Sequence, residues 1–125
     1  MSAIELGAYL HARSQQYHEC IEACVACLIA CEGCSDACLE EGNVAAMTDC
    51  IRFSRDCADA CSAALRVMAR GSEQARDYCA TCADFCDACA AECEKHASMA
   101  DHCRVCAEAC RRCAAACREL NEKSW

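Results

Sequence analysis

Cysteine recurs along this chain at intervals that gather sulfur on one side of a helix. Cys20, Cys24, Cys27, Cys31, Cys34 and Cys38 are spaced 4, 3, 4, 3, 4. Cys79, Cys82, Cys86, Cys89 and Cys93, and again Cys103, Cys106, Cys110, Cys113 and Cys117, are spaced 3, 4, 3, 4. These are the a/d seam positions of a heptad, the ones a helix turns toward its partners. Cys50, Cys57 and Cys61 keep the same register in a fourth stretch, with Ser54 where a further thiol is expected. A core normally takes its volume from leucine, isoleucine and phenylalanine, so a seam of small thiols leaves room for something else. Thiolates are ligands for soft cations, and metal with its ligand shell is the expected filling.

The spacing narrows the metal. Residues i and i+4 on a helix lie about 5–6 Å apart at Cβ, too far for the roughly 3.5–4.5 Å of a disulfide. If a Cu(I)–thiolate bond is near the ~2.3 Å of zinc–thiolate, a linear S–Cu–S unit spans about 4.6 Å, and a Cys-x-x-x-Cys pair can clamp it. With each thiolate bridging two ions, capacity approaches roughly one Cu(I) per cysteine. Structural zinc wants closed sets of four ligands, into which 19 cysteines do not divide. Iron–sulfur runs are punctuated by loops and often proline, which this chain lacks. Zinc, iron–sulfur and thiol redox chemistry on the same bundle remain the alternatives. A redox cysteine, however, is partly exposed in an electropositive setting, and no pair here is singled out.

Holding these seams together takes long helices. The chain has no proline and only four glycines, and its breaks fall where helix-ending chemistry occurs. Glu40-Glu41-Gly42-Asn43 offers a left-handed glycine followed by a capping asparagine, and Arg70-Gly71-Ser72 repeats the arrangement. Ser98 with Asp101 gives a weaker capping box after Lys95-His96-Ala97. Four helices are predicted, over 17–41, 44–70, 73–96 and 99–121. Ser2 and Glu5 start a short amphipathic helix over about 3–13, carrying Ile4, Leu6 and Leu10. Short connections force antiparallel neighbours. The fold class is all-α: one domain over 1–125, an up-down-up-down four-helix bundle with a short additional N-terminal helix.

Composition bounds the setting. Cysteine at about 15% of 125 residues exceeds the level that marks a disulfide scaffold, yet the count is odd. The first thirty residues lack the charged and apolar regions of an export signal. The expected compartment is the reducing cytoplasm, where dense cysteine points to metal. A formal charge of -8 has the wrong sign for nucleic acid or anionic lipid, and no stretch reaches the roughly 20 apolar residues of a membrane span. Neither partner is expected. Nor does any residue set resemble a nucleophile, base and orienter, so the chain reads as a binding protein rather than an enzyme.

From about Tyr17 to Leu120 the Cys-x-x-x-Cys units and interleaved Cys-x-x-Cys steps resemble the bacterial cytosolic copper storage proteins. The resemblance implies a four-helix bundle holding many Cu(I) ions in its core, a homotetramer, and ligand roles for the 19 cysteines. Copper donor and acceptor proteins are the protein partners that such a store would meet. Ser54 departs from the ligand pattern, and the segment before Gln16 has little to align.

Extending the register past the cysteines separates the two ends of the bundle. Near Gly42 and Ala97 it meets Met47, His96 and Met99, with His102 close by, groups that bind Cu(I) more weakly than thiolate and could pass ions inward. The plain alternatives are gap-filling methionine and solvated histidine. At the other end it meets Tyr17, Leu65, Met68, Leu120 and the flanking Tyr78, an apolar plug. His11 and His18 read as surface residues. Glu40, Glu41, Asp84, Asp87, Glu92 and Glu94 read as a solvated acidic face.

Overall fold

Four α-helices carry the sulfur: α1 His18–Cys38, α2 Thr48–Ala69, α3 Ala75–Glu94 and α4 Asp101–Glu122. Ala12–Tyr17 and Val44–Met47 are 3-10 turns leading into α1 and α2. The computed structural model describes residues 2, 5, 6 and 12–122. Each helix packs against two neighbours, α1 on α2 and α4, and α3 on α2 and α4. Contacts such as Cys34 with Cys50, Cys50 with Cys93 and Cys20 with Cys117 run early against late residues, so neighbours are antiparallel. This is the expected up-down-up-down bundle.

α1 and α3 stop short of their predicted ends because their last turns tighten. After Cys38, the N–H groups of Leu39, Glu40 and Glu41 bond to Asp36, Ala37 and Cys38, three residues back. Lys95, His96 and Ala97 do the same to Glu92, Cys93 and Glu94. Such i→i+3 bonds satisfy carbonyls that a helix end would otherwise orphan. The Gly42 expectation fails: Gly71, at φ 64°, is the only left-handed residue among those described. Asn43 makes no side-chain cap, and its carbonyl instead accepts from Ala46 to open the 3-10 turn. Before α4, Met99 and Ala100 donate to the His96 carbonyl, a backbone turn that replaces the Ser98 cap. At Gly71 the prediction holds in detail. Gly71 N–H reaches Met68 O at 2.9 Å and Ser72 N–H reaches Val67 O at 3.0 Å, a Schellman motif.

Glu5 N–H bonds to Ser2 Oγ at 3.2 Å, so the first half of the N-terminal capping box forms. Ile4, Leu10 and His11 lie outside the described residues. The chain then reaches Tyr17, whose buried ring donates its hydroxyl to Ser72 O at 3.5 Å and ties the N-terminal turn to the α2–α3 turn.

Between the seams lie buried alanines, Ala23, Ala58, Ala83, Ala90, Ala107 and Ala114, which let the helices close around a narrow axis. Larger apolar side chains, Tyr17, Ile21, Val67, Met68 and Leu120, gather at the α2–α3 turn end. Leu65 is partly buried against them, whereas Tyr78 is 45% exposed and does not join the plug. His18 is half-buried rather than on the surface, its Nε2 without a hydrogen-bond partner among the described residues.

The acidic face does more than meet solvent. Asp87 and Glu94 on α3 are seven residues apart, as are Arg111 and Arg118 on α4. Arg118 pairs with Asp87, and Arg111 forks onto Glu94 at 2.7 and 3.1 Å while reaching Asp87 at 3.2 Å. Arg118 foremost holds the Asp87 carboxyl below its usual range.

The Gly71→Ala and Gly42→Ala pair checks the assignment of the turns. Gly71→Ala forces a Cβ into a left-handed backbone and is expected to cost about 1–2 kcal/mol. A Cβ at Gly42 meets nothing within 4 Å, and Ala there is expected to be neutral or slightly stabilising. Urea unfolding of the reduced, metal-free protein reads both.

Candidate metal centre

The α2–α3 interface shows how the seams meet. Cys50 faces Cys93 at 3.6 Å, Ser54 faces Cys89 at 3.7 Å, Cys57 faces Cys86 at 3.6 Å and Cys61 faces Cys82 at 3.7 Å. Alternating steps of four and three keep both seams aligned because two helices at 3.6 residues per turn precess together. On the opposite side α1 meets α4 in the same way: Cys20 with Cys117 at 3.5 Å, Cys24 with Cys113 at 3.6 Å, Cys27 with Cys110 at 3.6 Å, and Cys31 with Cys106 at 3.7 Å. All 19 cysteines are free and buried, as the register predicts.

These pairs merge into one column. Cys27, Cys31, Cys57 and Cys110 form a four-thiol set whose sulfurs lie within 4.8 Å of one another. Cys27 also belongs with Cys61, Cys86 and Cys113, while Cys31 and Cys110 also belong with Cys89 and Cys106. Cys113 belongs in turn with Cys24, Cys82 and Cys117. Shared sulfurs suit an ion whose thiolates bridge, and work against closed, independent tetrahedra. The i, i+4 pairs Cys27–Cys31, Cys82–Cys86, Cys89–Cys93 and Cys106–Cys110 are 3.8–4.0 Å apart. That is shorter than the about 4.6 Å of a linear S–Cu–S unit, and close to the about 4.0 Å between sulfurs of a trigonal one with ~2.3 Å bonds. Three-coordinate geometry fits these thiols as they stand, and two-coordinate geometry asks the side chains to swing apart.

Electrostatics divides the thiols. Cys57 is lowered to about 7, chiefly by Cys110, and Cys113 to about 6, chiefly by Cys117, because neighbouring S–H groups donate to them. Burial foremost pushes Cys38 and Cys103 up. A thiolate surrounded by thiols is stabilised, but it cannot stabilise a second charge beside it. Most of the column therefore stays protonated until a cation arrives.

At the end bounded by the α1–α2 and α3–α4 turns, Cys34, Cys38, Cys50 and Cys103 form the outermost thiol set. His102 joins it: Nδ1 lies 3.4 Å from Cys34 Sγ and 3.6 Å from Cys103 Sγ, while Nε2 meets Glu41 Oε1 at 2.7 Å. A carboxylate behind the imidazole fixes which nitrogen faces inward. Burial disfavours the charged ring, but Cys34 and Glu41 outweigh it and raise the His102 pKa. His96 goes elsewhere. Its Nε2 sits 3.1 Å from the buried Glu92, which also binds Lys95 at 3.0 Å. Met99 is 84% exposed, and Met47 is buried in the turn before α2. Of the four residues expected at this mouth, His102 is the one hydrogen-bonded to thiols among the described residues.

Comparison with known proteins agrees with this geometry. The model of the family described as Csp, copper storage protein, matches residues 13–122. The chain belongs to the copper storage protein family. The copper storage protein Ccsp of Streptomyces lividans, solved with 10 copper equivalents, is 48% identical over 86% of this chain and 84% of that one, with a TM-score of 0.82. A cytosolic family member from the same organism, solved with five coppers, is 45% identical over 91% and 98%, with a TM-score of 0.85. An uncharacterized cysteine-rich protein, YhjQ, of Bacillus subtilis (strain 168) is 47% identical over 70 residues. That match covers 55% of this chain and 65% of the relative, just under two thirds of its length.

Two contacts lie outside the pattern of spacings. Glu41 reads as part of a solvated face, although its place beside Gly42 puts it at the mouth. Met68 reads as plug, although it lies one heptad past Cys61 and its Sδ comes within 3.5 Å of Cys79 Sγ.

If His102 passes ions to Cys34 and Cys103, His102→Ala is expected to slow Cu(I) uptake severalfold. His96→Ala and Met99→Ala should load at the parent rate. Stopped-flow loading from a chromophoric Cu(I) complex compares them, and equal rates for His102→Ala would remove the role.

Proposed function

We propose that this chain is a cytosolic store for Cu(I), holding many ions along the bundle axis without turning over any substrate. The observation that carries this reading is the sharing of sulfur between sets, at Cys27, Cys31, Cys110 and Cys113. Bridging thiolates give a continuous run of ions, for which a soft monovalent cation is the best match. The ligands are the 19 cysteines, with His102 as an imidazole donor at the mouth and Met47 as the thioether placed at the same end. Copper donor and acceptor proteins would exchange ions there. The described helices include none long and apolar enough to cross a membrane.

Anaerobic titration of the reduced protein with Cu(I) against a competing chelator tests the reading. Expected capacity is roughly one ion per cysteine, with weaker binding of zinc and ferrous iron. Most ions replace a thiol proton, so loading should release protons and weaken as pH falls, since Cys38 and Cys103, among others, stay protonated at neutral pH. Saturation at one or two ions, or a preference for zinc, would overturn it.

The family resemblance also supports a homotetramer. The chain's mass is 13.5 kDa, and light scattering of the empty and loaded protein is expected to give four times that value. A monomer in both states would refute the assembly.

A further inference from the structure

The pairing of α2 with α3 breaks at its inner end. After Cys61 with Cys82, the next pair in the register is Ala64 with Cys79, so α2 offers no sulfur where α1, α3 and α4 supply Cys20, Cys79 and Cys117. Cys20 lies 3.9 Å from Cys79 and 3.5 Å from Cys117. Ala64 is fully buried and carries no ligand atom. One turn further on stands Met68. Helical side chains lean toward the helix N-terminus, so Met68 bends back over Ala64. Its Sδ reaches 3.5 Å from Cys79 Sγ, and the side chain is fully buried.

We propose that the Met68 thioether is the α2 ligand of the innermost Cu(I), completing with Cys20, Cys79 and Cys117 a mixed thioether and thiolate site at the closed end. The assignment rests on the copper-storage reading. A leucine of similar volume would plug the bundle equally well, but it would leave Cys79 without a sulfur neighbour on α2. Thioether sulfur is soft and neutral, so it binds monovalent copper without adding a charge to a crowded, buried layer.

Two measurements on the full chain test this. In selenomethionine-labelled Met47→Leu protein loaded with Cu(I), which removes the thioether proposed for the mouth, selenium-edge absorption should show a copper scatterer at bonding distance, and adding Met68→Leu should abolish it. In unlabelled protein, Met68→Leu conserves volume, so the bundle should stay folded by circular dichroism while about one of the bound ions passes severalfold more readily to a competing chelator. Full loading of the Met47→Leu protein with no copper next to selenium, or a copper signal that survives the added Met68→Leu, would overturn the assignment and leave the store intact. Failure of the parent protein to take up copper would sink the storage reading, and this one with it.

Discussion

Nineteen sulfurs placed on a common axis are the constraint from which the rest of the architecture follows. A thiol side chain is short, so helices that meet through thiols must approach closely, and alanine on the flanks of each seam permits it. Contacts of 3.5–4.0 Å from all four helices make the axis continuous rather than a string of pockets. Little of the cohesion of an ordinary core is available there, because S–H groups are weak donors and each thiol is a small hydrophobe. More comes from the apolar cluster around Met68, Val67, Tyr17 and Leu120, while the exposed Arg111 and Arg118 pairs join α4 to α3 at the surface.

The two ends of the axis differ in chemistry. One is framed by tightened helix ends, a histidine with a carboxylate behind it, and a thiol set next to solvent-facing turns. The other is sealed by large apolar groups and by the Tyr17–Ser72 contact. Groups able to bind a soft ion next to solvent are thereby gathered at one end, and large apolar side chains at the other.

Much of this was legible in the chain. Spacings of four and three located every cysteine on an inward seam, because a helical register survives as long as the helix does. The same rule misled at His96, which continues the α3 seam on paper. The helix ends at Glu94, so the register no longer governs where His96 points, and Glu92 captures it. His102 stands off the seam beside Cys103, but it occupies the first turn of α4, where side chains lean back toward the mouth. The Asp87–Glu94 and Arg111–Arg118 repeats of seven were readable and pair across antiparallel helices. Gly42 resembled Gly71 in local sequence but not in conformation, since i→i+3 bonds had already closed the α1 end.

Burial of every thiol has a consequence for how such a molecule looks from outside. Exchange of a proton for a monovalent ion on each sulfur leaves the formal charge near its starting value of -8, and no cysteine contributes to the exterior. Full and empty forms therefore present nearly the same coat to solvent. Charge on the outside therefore distinguishes them little, and the place where a buried thiol set comes nearest to solvent-facing groups is the mouth around Glu41 and His102.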